Sequence, residues 1–266
     1  MAYDIIVLAG QSNAEGTGLG NGPMFEENER ILQLYDPQDN GFEESANGEM
    51  LLKVKRPWHF LIAPAKERRK DGHVYGNFAL WFAKRYIDSG LLKKNRKILI
   101  VNAAVGGTGF KKRHWGRGDV LSDRLYEMTD VATSAKGSKI VAFLWHQGEH
   151  DAFENEGSDS ELYEEYYQNL LSFFTDVQNK YSAYSFPIIA GGFVDEYVKN
   201  NPGCLAVFRA TQAVSQTLKK VAVVSGEGLQ SNNQAVGNGD DAHFCREALY
   251  ELGQRYFEKY RQMTNT

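Results

Sequence analysis

Residues 5–13 read Ile5-Ile6-Val7-Leu8-Ala9-Gly10-Gln11-Ser12-Asn13, an unbroken apolar run that stops at a glycine and passes directly into polar residues. A continuous run, rather than alternating apolar and polar positions, fits a strand covered on both faces, as in a parallel sheet. Polar side chains then fall just past the strand's carboxyl end, where open parallel sheets hold their ligands.

The pattern recurs along the chain. Ile31 to Tyr35 is closed by Asp36-Pro37, Lys97 to Ala104 by Gly106-Gly107, and Pro187 to Ala190 by Gly191-Gly192. Lys139 to Trp145 and Val221 to Val224 are further short apolar runs. Between them, apolar residues recur at helical spacing: Phe78, Phe82, Tyr86 and Ile87; Leu162, Tyr166, Leu170, Phe174 and Val177 after a capping box from Ser158 to Glu161; and Leu249, Leu252, Tyr256 and Tyr260. Cys204 to Leu218 is a weaker helix. Strands alternating with helices predict one doubly wound, flavodoxin-like α/β domain over residues 1–266, a parallel sheet with helices on both faces. Asp36 to Tyr75 breaks the rhythm, with poor periodicity and three prolines, and reads as an irregular excursion over the sheet's edge that forms a substrate rim.

The composition is that of a globular protein, with 42% apolar and 24% charged residues and a net charge of −4. The densest basic run, Lys66 to Lys70, has no nucleic-acid motif with it and reads as a solvated face. No apolar run reaches the roughly 18–20 residues that span a bilayer, and the run at Ile5 is too short for a signal peptide, so the expected location is cytoplasmic. The two cysteines, Cys204 and Cys245, make no disulfide framework. Neither a G-x-G-x-x-G nor a Walker sequence occurs, and no metal or organic cofactor is expected.

Four polar clusters follow strands: Gly10-Gln11-Ser12-Asn13; Gly106-Gly107-Thr108; His146-Gln147-Gly148-Glu149-His150-Asp151; and Asp240-Asp241-Ala242-His243-Phe244. A serine hydroxyl becomes a nucleophile when a histidine takes its proton, and a carboxylate holds that histidine in the right tautomer. Asp240 and His243 are three apart, so one short turn presents both. Donors for an oxyanion are available in the backbone N–H of Ser12, that of Gly107 or Gly106, and the Gln147 amide.

Together, and in this order, the four clusters resemble the signature blocks of the carbohydrate-esterase branch of SGNH hydrolases, which includes acetylxylan esterases and sialate O-acetylesterases. Trp145 to Asp151 fits that branch's W-x-Q-G-E-x-D block throughout. The resemblance runs from near the N-terminus to about residue 245. It implies an SGNH fold and a serine carbohydrate O-acetylesterase acting on an acetylated sugar or oligosaccharide. Ser12 would be the nucleophile, Asp240 and His243 its partners, and Gln147 an oxyanion donor. Gln11, Asn13, Gly106, Glu149 and Asp151 would support them. Trp58, His59, His146 and Trp115 are candidates for sugar contact.

Other readings carry less. Gly10-x-Ser12-x-Ala14 approximates a nucleophile elbow, but no strand precedes it and the acid and histidine share one loop. His146 to His150 fits the H-x-x-E-H zinc pattern, but Gly148 and the preceding strand speak against the helix that pattern needs, so both histidines read as loop residues. Asp241 is an alternative acid, which the spacing disfavours. An esterase of other acyl specificity and a non-catalytic carbohydrate-binding module are the functional alternatives.

Overall fold

The computed structural model describes residues 1–38, 41–44, 50–54 and 56–264. In chain order the elements are β1 (Ala2–Gly10), α1 (Ser12–Glu15), β2 (Ile31–Tyr35), β3 (Phe42–Glu44), β4 (Met50–Leu52), β5 (Leu61–Pro64), β6 (Arg68–Lys70), β7 (His73–Tyr75) and α2 (Phe78–Asp88). There follow β8 (Arg96–Asn102), α3 (Val120–Ser134), β9 (Lys139–His146), α4 (Glu149–Phe153), α5 (Asp159–Lys180) and β10 (Ile188–Gly191). The chain ends with α6 (Asp195–Asn200), α7 (Gly203–Thr217), β11 (Val221–Val224), α8 (Asn232–Val236) and α9 (Arg246–Thr264).

Among the described residues the main sheet has seven strands in the order β11-β10-β9-β1-β8-β2-β5. All neighbours are parallel except β2 and β5, which run antiparallel. Without β2 and β5, the strands follow the order 2-1-3-4-5, with β1 between β8 and β9. β1 is therefore central, and Ile5, Ile6, Val7 and Leu8 are buried on both sides. Each such side chain contributes roughly 1.5–3 kcal/mol.

Consecutive residues of β9 show how both faces are covered. Trp145 points to one side, where its ring packs 5.0 Å from Phe173 of α5 and 5.3 Å from Trp115. His146 points to the other, against Phe78 of α2 and Tyr256 of α9. The buried Asp4 at the start of β1 is satisfied by Arg96 Nε at 2.6 Å and the Tyr86 hydroxyl at 2.9 Å.

The stretch from Asp36 to Tyr75 differs from the irregular excursion expected. Among its described residues, β3 and β4 form one hairpin, β6 and β7 another, and β5 extends the sheet beyond β2. These strands are three or four residues long, too short to display a period. A helix, α3, also occupies a stretch that the periodicity did not mark. Among the described residues no helix is long and apolar enough to cross a membrane.

Candidate active site

The site is built where β1, β8 and β9 end. Gly10 leaves β1 with φ +125°, and a Cβ there would lie 2.0 Å from the His146 carbonyl oxygen. Glycine alone lets β1 turn so tightly against β9. The Gln11 N–H then donates to that same carbonyl at 2.9 Å, and Ser12 becomes the first residue of α1.

From the far end of the chain, the loop after α8 brings in His243. Its Nε2 lies 2.7 Å from Ser12 Oγ, and its Nδ1 lies 2.8 and 2.9 Å from the two oxygens of Asp240. Nδ1–H donating to Asp240 leaves Nε2 to accept from the serine. The chain reversal is set locally: the His243 N–H donates to Asp240 Oδ1 at 3.2 Å. Burial pushes the His243 pKa down, but hydrogen bonding and charge from Asp240, with the charges of Glu149 and Glu15, outweigh it and hold it above its ordinary value. Asp240 shows the converse: burial raises its pKa, and its bonds to His243 and Asn232 bring the net value below the usual one. Asp241, the alternative acid, instead accepts from Asn200 Nδ2 at the surface.

Asn232 is the residue that the sequence reading missed. Its amide donates to Asp240 Oδ2 at 2.9 Å and to the Thr17 carbonyl at 3.0 Å, so it fixes the carboxylate against the first loop. It begins α8, whose capping box from Ser231 to Gln234 was a readable signal.

Asn13 and Glu149 brace the site from beneath. Asn13 Oδ1 accepts from the Phe244 N–H at 3.0 Å, while Nδ2 donates to the Ala242 carbonyl at 3.1 Å and to Glu149 Oε1 at 2.7 Å. Glu149 is fully buried and its pKa is raised by that burial. Asp151 is likewise buried and accepts from the N–H groups of Phe110 and Lys111.

Gln147 departs from the expected oxyanion role. Its Nε2 is within bonding reach of Gln11 Oε1 (3.1 Å), the Thr108 carbonyl (3.1 Å) and Asp151 Oδ2 (2.7 Å). An amide has two N–H bonds, and here internal acceptors take both. The Tyr166 hydroxyl lies 2.9 Å from the Gln147 carbonyl oxygen and 3.1 Å from its Oε1, so the side chain is a buried cross-brace. Gly106 is also engaged, since its N–H donates to Glu15 Oε2 at 3.0 Å. The N–H groups of Ser12 and Gly107 have no such acceptor among the described residues.

Two expected sugar contacts lie in the core instead. Trp115 is fully buried, with Nε1 donating to Thr108 Oγ1 at 2.9 Å. His146 is equally buried, its pKa lowered by that burial to about 3. It ends β9 while His150 lies in α4, so the two share no helix face and neither is a loop residue. Trp58 is half-buried beneath Arg56 at 4.7 Å, and His59 is exposed. No bond joins Trp58 or His59 to Ser12 or His243 among the described residues.

Comparison with known proteins fits this arrangement. Residues 2–262 match the family described as carbohydrate esterase, sialic acid-specific acetylesterase, which makes this protein an ester hydrolase. The chain belongs to that family, and in general terms its activity is that of a carbohydrate O-acetylesterase. Among solved structures it is similar to NanS, with TM-score 0.73, 19% identity, and 99% of this chain and 98% of that one covered. It is also similar to a protein from Arabidopsis thaliana, with TM-score 0.69, 23% identity, and 98% and 99% covered. A family two carbohydrate esterase from Cellvibrio japonicus follows at TM-score 0.54 and 12% identity, with 100% of this chain and 62% of that chain covered. At such identities the likeness is one of fold. A mouse (Mus musculus) protein, ATP-binding cassette sub-family A member 6, is 33% identical over 119 residues, which is 44% of this chain and only 6% of that protein.

Proposed function

We propose that the protein is an SGNH-type, serine-dependent O-acetylesterase that removes acetyl groups from acetylated sugars or oligosaccharides of the xylan or sialate kind. One observation carries this reading: Ser12, His243 and Asp240 stand in one hydrogen-bonded line. The family membership supports the acetyl and sugar specificity. The strand order supports the flavodoxin-like, SGNH assignment.

The reaction is a two-step acyl transfer. Ser12 Oγ attacks the ester carbonyl carbon as its proton passes to His243 Nε2. The carbonyl oxygen takes the electron pair and is held by the Ser12 and Gly107 N–H groups. Collapse expels the sugar oxygen, which takes the proton from His243 and leaves as an alcohol. Water, giving its proton to the same nitrogen, then attacks the acetyl-serine, and acetate leaves as Oγ regains its proton. Asp240 keeps the imidazole oriented and favours its charged form.

The test is acetate release from 4-nitrophenyl acetate and from acetylated xylo-oligosaccharides. Ser12→Ala is expected to lower kcat on the order of 10⁶-fold, and a fluorophosphonate is expected to label wild type once per chain at Ser12. Turnover that survives Ser12→Ala would refute the assignment. A chain-length series of nitrophenyl esters fixes the acyl preference.

A further inference from the structure

Glu15 ends α1, and its half-buried side chain reaches the loop after β8. Its Oε2 accepts from the Gly106 N–H at 3.0 Å, and its Oε1 pairs with Arg68 Nη1 at 2.8 Å. The Asn77 amide donates to the carbonyls of Ala14 (3.2 Å) and Glu15 (3.0 Å), which fixes the end of α1. Gly106 lies against the nucleophile: a Cβ there would stand 3.4 Å from Ser12 Cβ and 2.9 Å from Glu15 Oε2.

The N–H that Glu15 takes is one residue before the N–H assigned to the oxyanion. The chain is fixed on both sides of Gly106-Gly107. The Val105 N–H donates to the Gly10 carbonyl at 3.0 Å, and Thr108 Oγ1 donates to the Val105 carbonyl at 2.7 Å. Between these anchors, two adjacent glycines have no side chains to hold their shared peptide plane, and Gly107 sits at φ +71°. The bond to Glu15 fixes the plane on the amino side of Gly106. The next plane carries the Gly107 N–H, which has no acceptor among the described residues.

The same bond sets a carboxylate close to the place where the oxyanion forms, and like charges there raise the barrier. Arg68 offsets that charge through its ion pair. Its neighbour Glu67 is buried and pairs with Arg246, which also donates to the Val74 carbonyl. Arg246 opens α9, three residues past His243. The β6–β7 hairpin is thus tied to the histidine's segment and, through Arg68 and Glu15, to the Gly106 turn.

We propose that Glu15 is a positioning residue for the oxyanion hole: it takes the Gly106 N–H so that the Gly107 N–H faces the ester oxygen, and Arg68 offsets the charge that its carboxylate sets near the oxyanion. The proposal rests on the acetylesterase reading above.

The test is 4-nitrophenyl acetate kinetics on wild type, Glu15→Gln, Glu15→Ala and Arg68→Ala. Gln keeps an oxygen for Gly106 and brings no charge, whereas Ala leaves the Gly106 N–H without its acceptor and frees the glycine pair. Glu15→Gln is expected to stay within about threefold of wild-type kcat, and Glu15→Ala to fall roughly 10- to 100-fold. KM should change by less than about twofold in both, because the oxyanion exists only in the transition state. Arg68→Ala is expected to lose roughly 3- to 10-fold in kcat at low ionic strength and to regain part of it as sodium chloride is added, since salt screens the bare carboxylate. Arg68 lies near the surface, so this variant still reports if Glu15→Ala does not fold. A kcat for Glu15→Ala at or above wild type overturns the proposal, because a freed Gly106 N–H would then serve the oxyanion as well. Equal losses in Gln and Ala, a loss confined to KM, or a wild-type kcat for Arg68→Ala at low salt overturn it too. Failure of wild type on 4-nitrophenyl acetate sinks the acetylesterase reading instead, so the two failures are distinct.

Discussion

Glu149 Oε1 accepts a 2.7 Å hydrogen bond from the Asn13 amide, and through Asn13 it holds the backbone on either side of His243. The histidine's position thus depends on a carboxyl group in the interior that touches neither the serine nor the ring.

Glu149→Gln keeps an oxygen for Asn13, whereas Glu149→Ala removes it and leaves a buried donor unmet, at about 1–3 kcal/mol. The expected order of both kcat and melting temperature is therefore wild type, then Gln, then Ala. Thermal melts and 4-nitrophenyl acetate kinetics on the three proteins check it. Equal melting temperatures for Gln and Ala would remove the brace from the account.

In the proposed mechanism His243 must be neutral to take the serine proton. Its folded pKa is raised above the ordinary 6.5, because Asp240 outweighs burial. Activity should therefore fall as pH drops through a value above 6.5. The stability side has the opposite direction: a raised histidine pKa stabilises the fold below the unfolded value and loses that contribution as pH rises through the folded one. Asp240→Asn is expected to move the acid limb of kcat/KM to lower pH and to cut kcat by roughly 10⁴-fold, since the tautomer is no longer fixed. A pH–rate profile of both proteins decides it, and an unmoved limb would exclude Asp240 as the partner.

Much of this is legible in the sequence. β1, β8, β9, β10 and β11 carry continuous apolar runs, because both faces of the sheet are covered, whereas Gln33 interrupts β2. Ser12 stands out because it follows such a run directly, and Asp240 and His243 because their spacing puts an acid and a base on one short turn. What was not legible depends on distance across the chain. Gln147 has the residue type of an oxyanion donor, and only its closeness to Gln11, Thr108 and Asp151 shows its hydrogens to be in use. Trp115 has the type of a sugar platform, yet its neighbours Trp145 and Phe173 make it core. The helix α3 buries Leu121, Leu125, Met128 and Ala132 at helical spacing, but serines, threonines and charges between them dilute the pattern.

As a brace, Gln147 should matter for stability as well as rate. Gln147→Ala removes a buried side chain within hydrogen-bond reach of Gln11, Thr108, Asp151 and Tyr166. The expected cost is about 2–4 kcal/mol, seen in chemical denaturation, together with a lower kcat. An oxyanion donor would instead cost roughly 10²–10³-fold in kcat with stability intact. That second pattern would restore the role expected from the sequence.

The tight exit from β1 yields the sharpest structural prediction. At Gly10 a methyl group would lie 2.0 Å from the His146 carbonyl oxygen, in a backbone conformation that L residues disfavour. That carbonyl accepts from Gln11 and belongs to β9, so it cannot retreat without unpairing the sheet's centre. Gly90 also has positive φ, at +77°, but a methyl there meets nothing within 4 Å. Gly90→Ala therefore isolates the cost of the backbone conformation alone, about 1–2 kcal/mol. Gly10→Ala adds the clash and is expected to exceed about 4 kcal/mol or to prevent folding. Urea denaturation of both variants separates the two terms. Equal destabilisation would mean that β1 can leave the sheet by another path, and that the serine's position does not depend on the contact between Gly10 and His146.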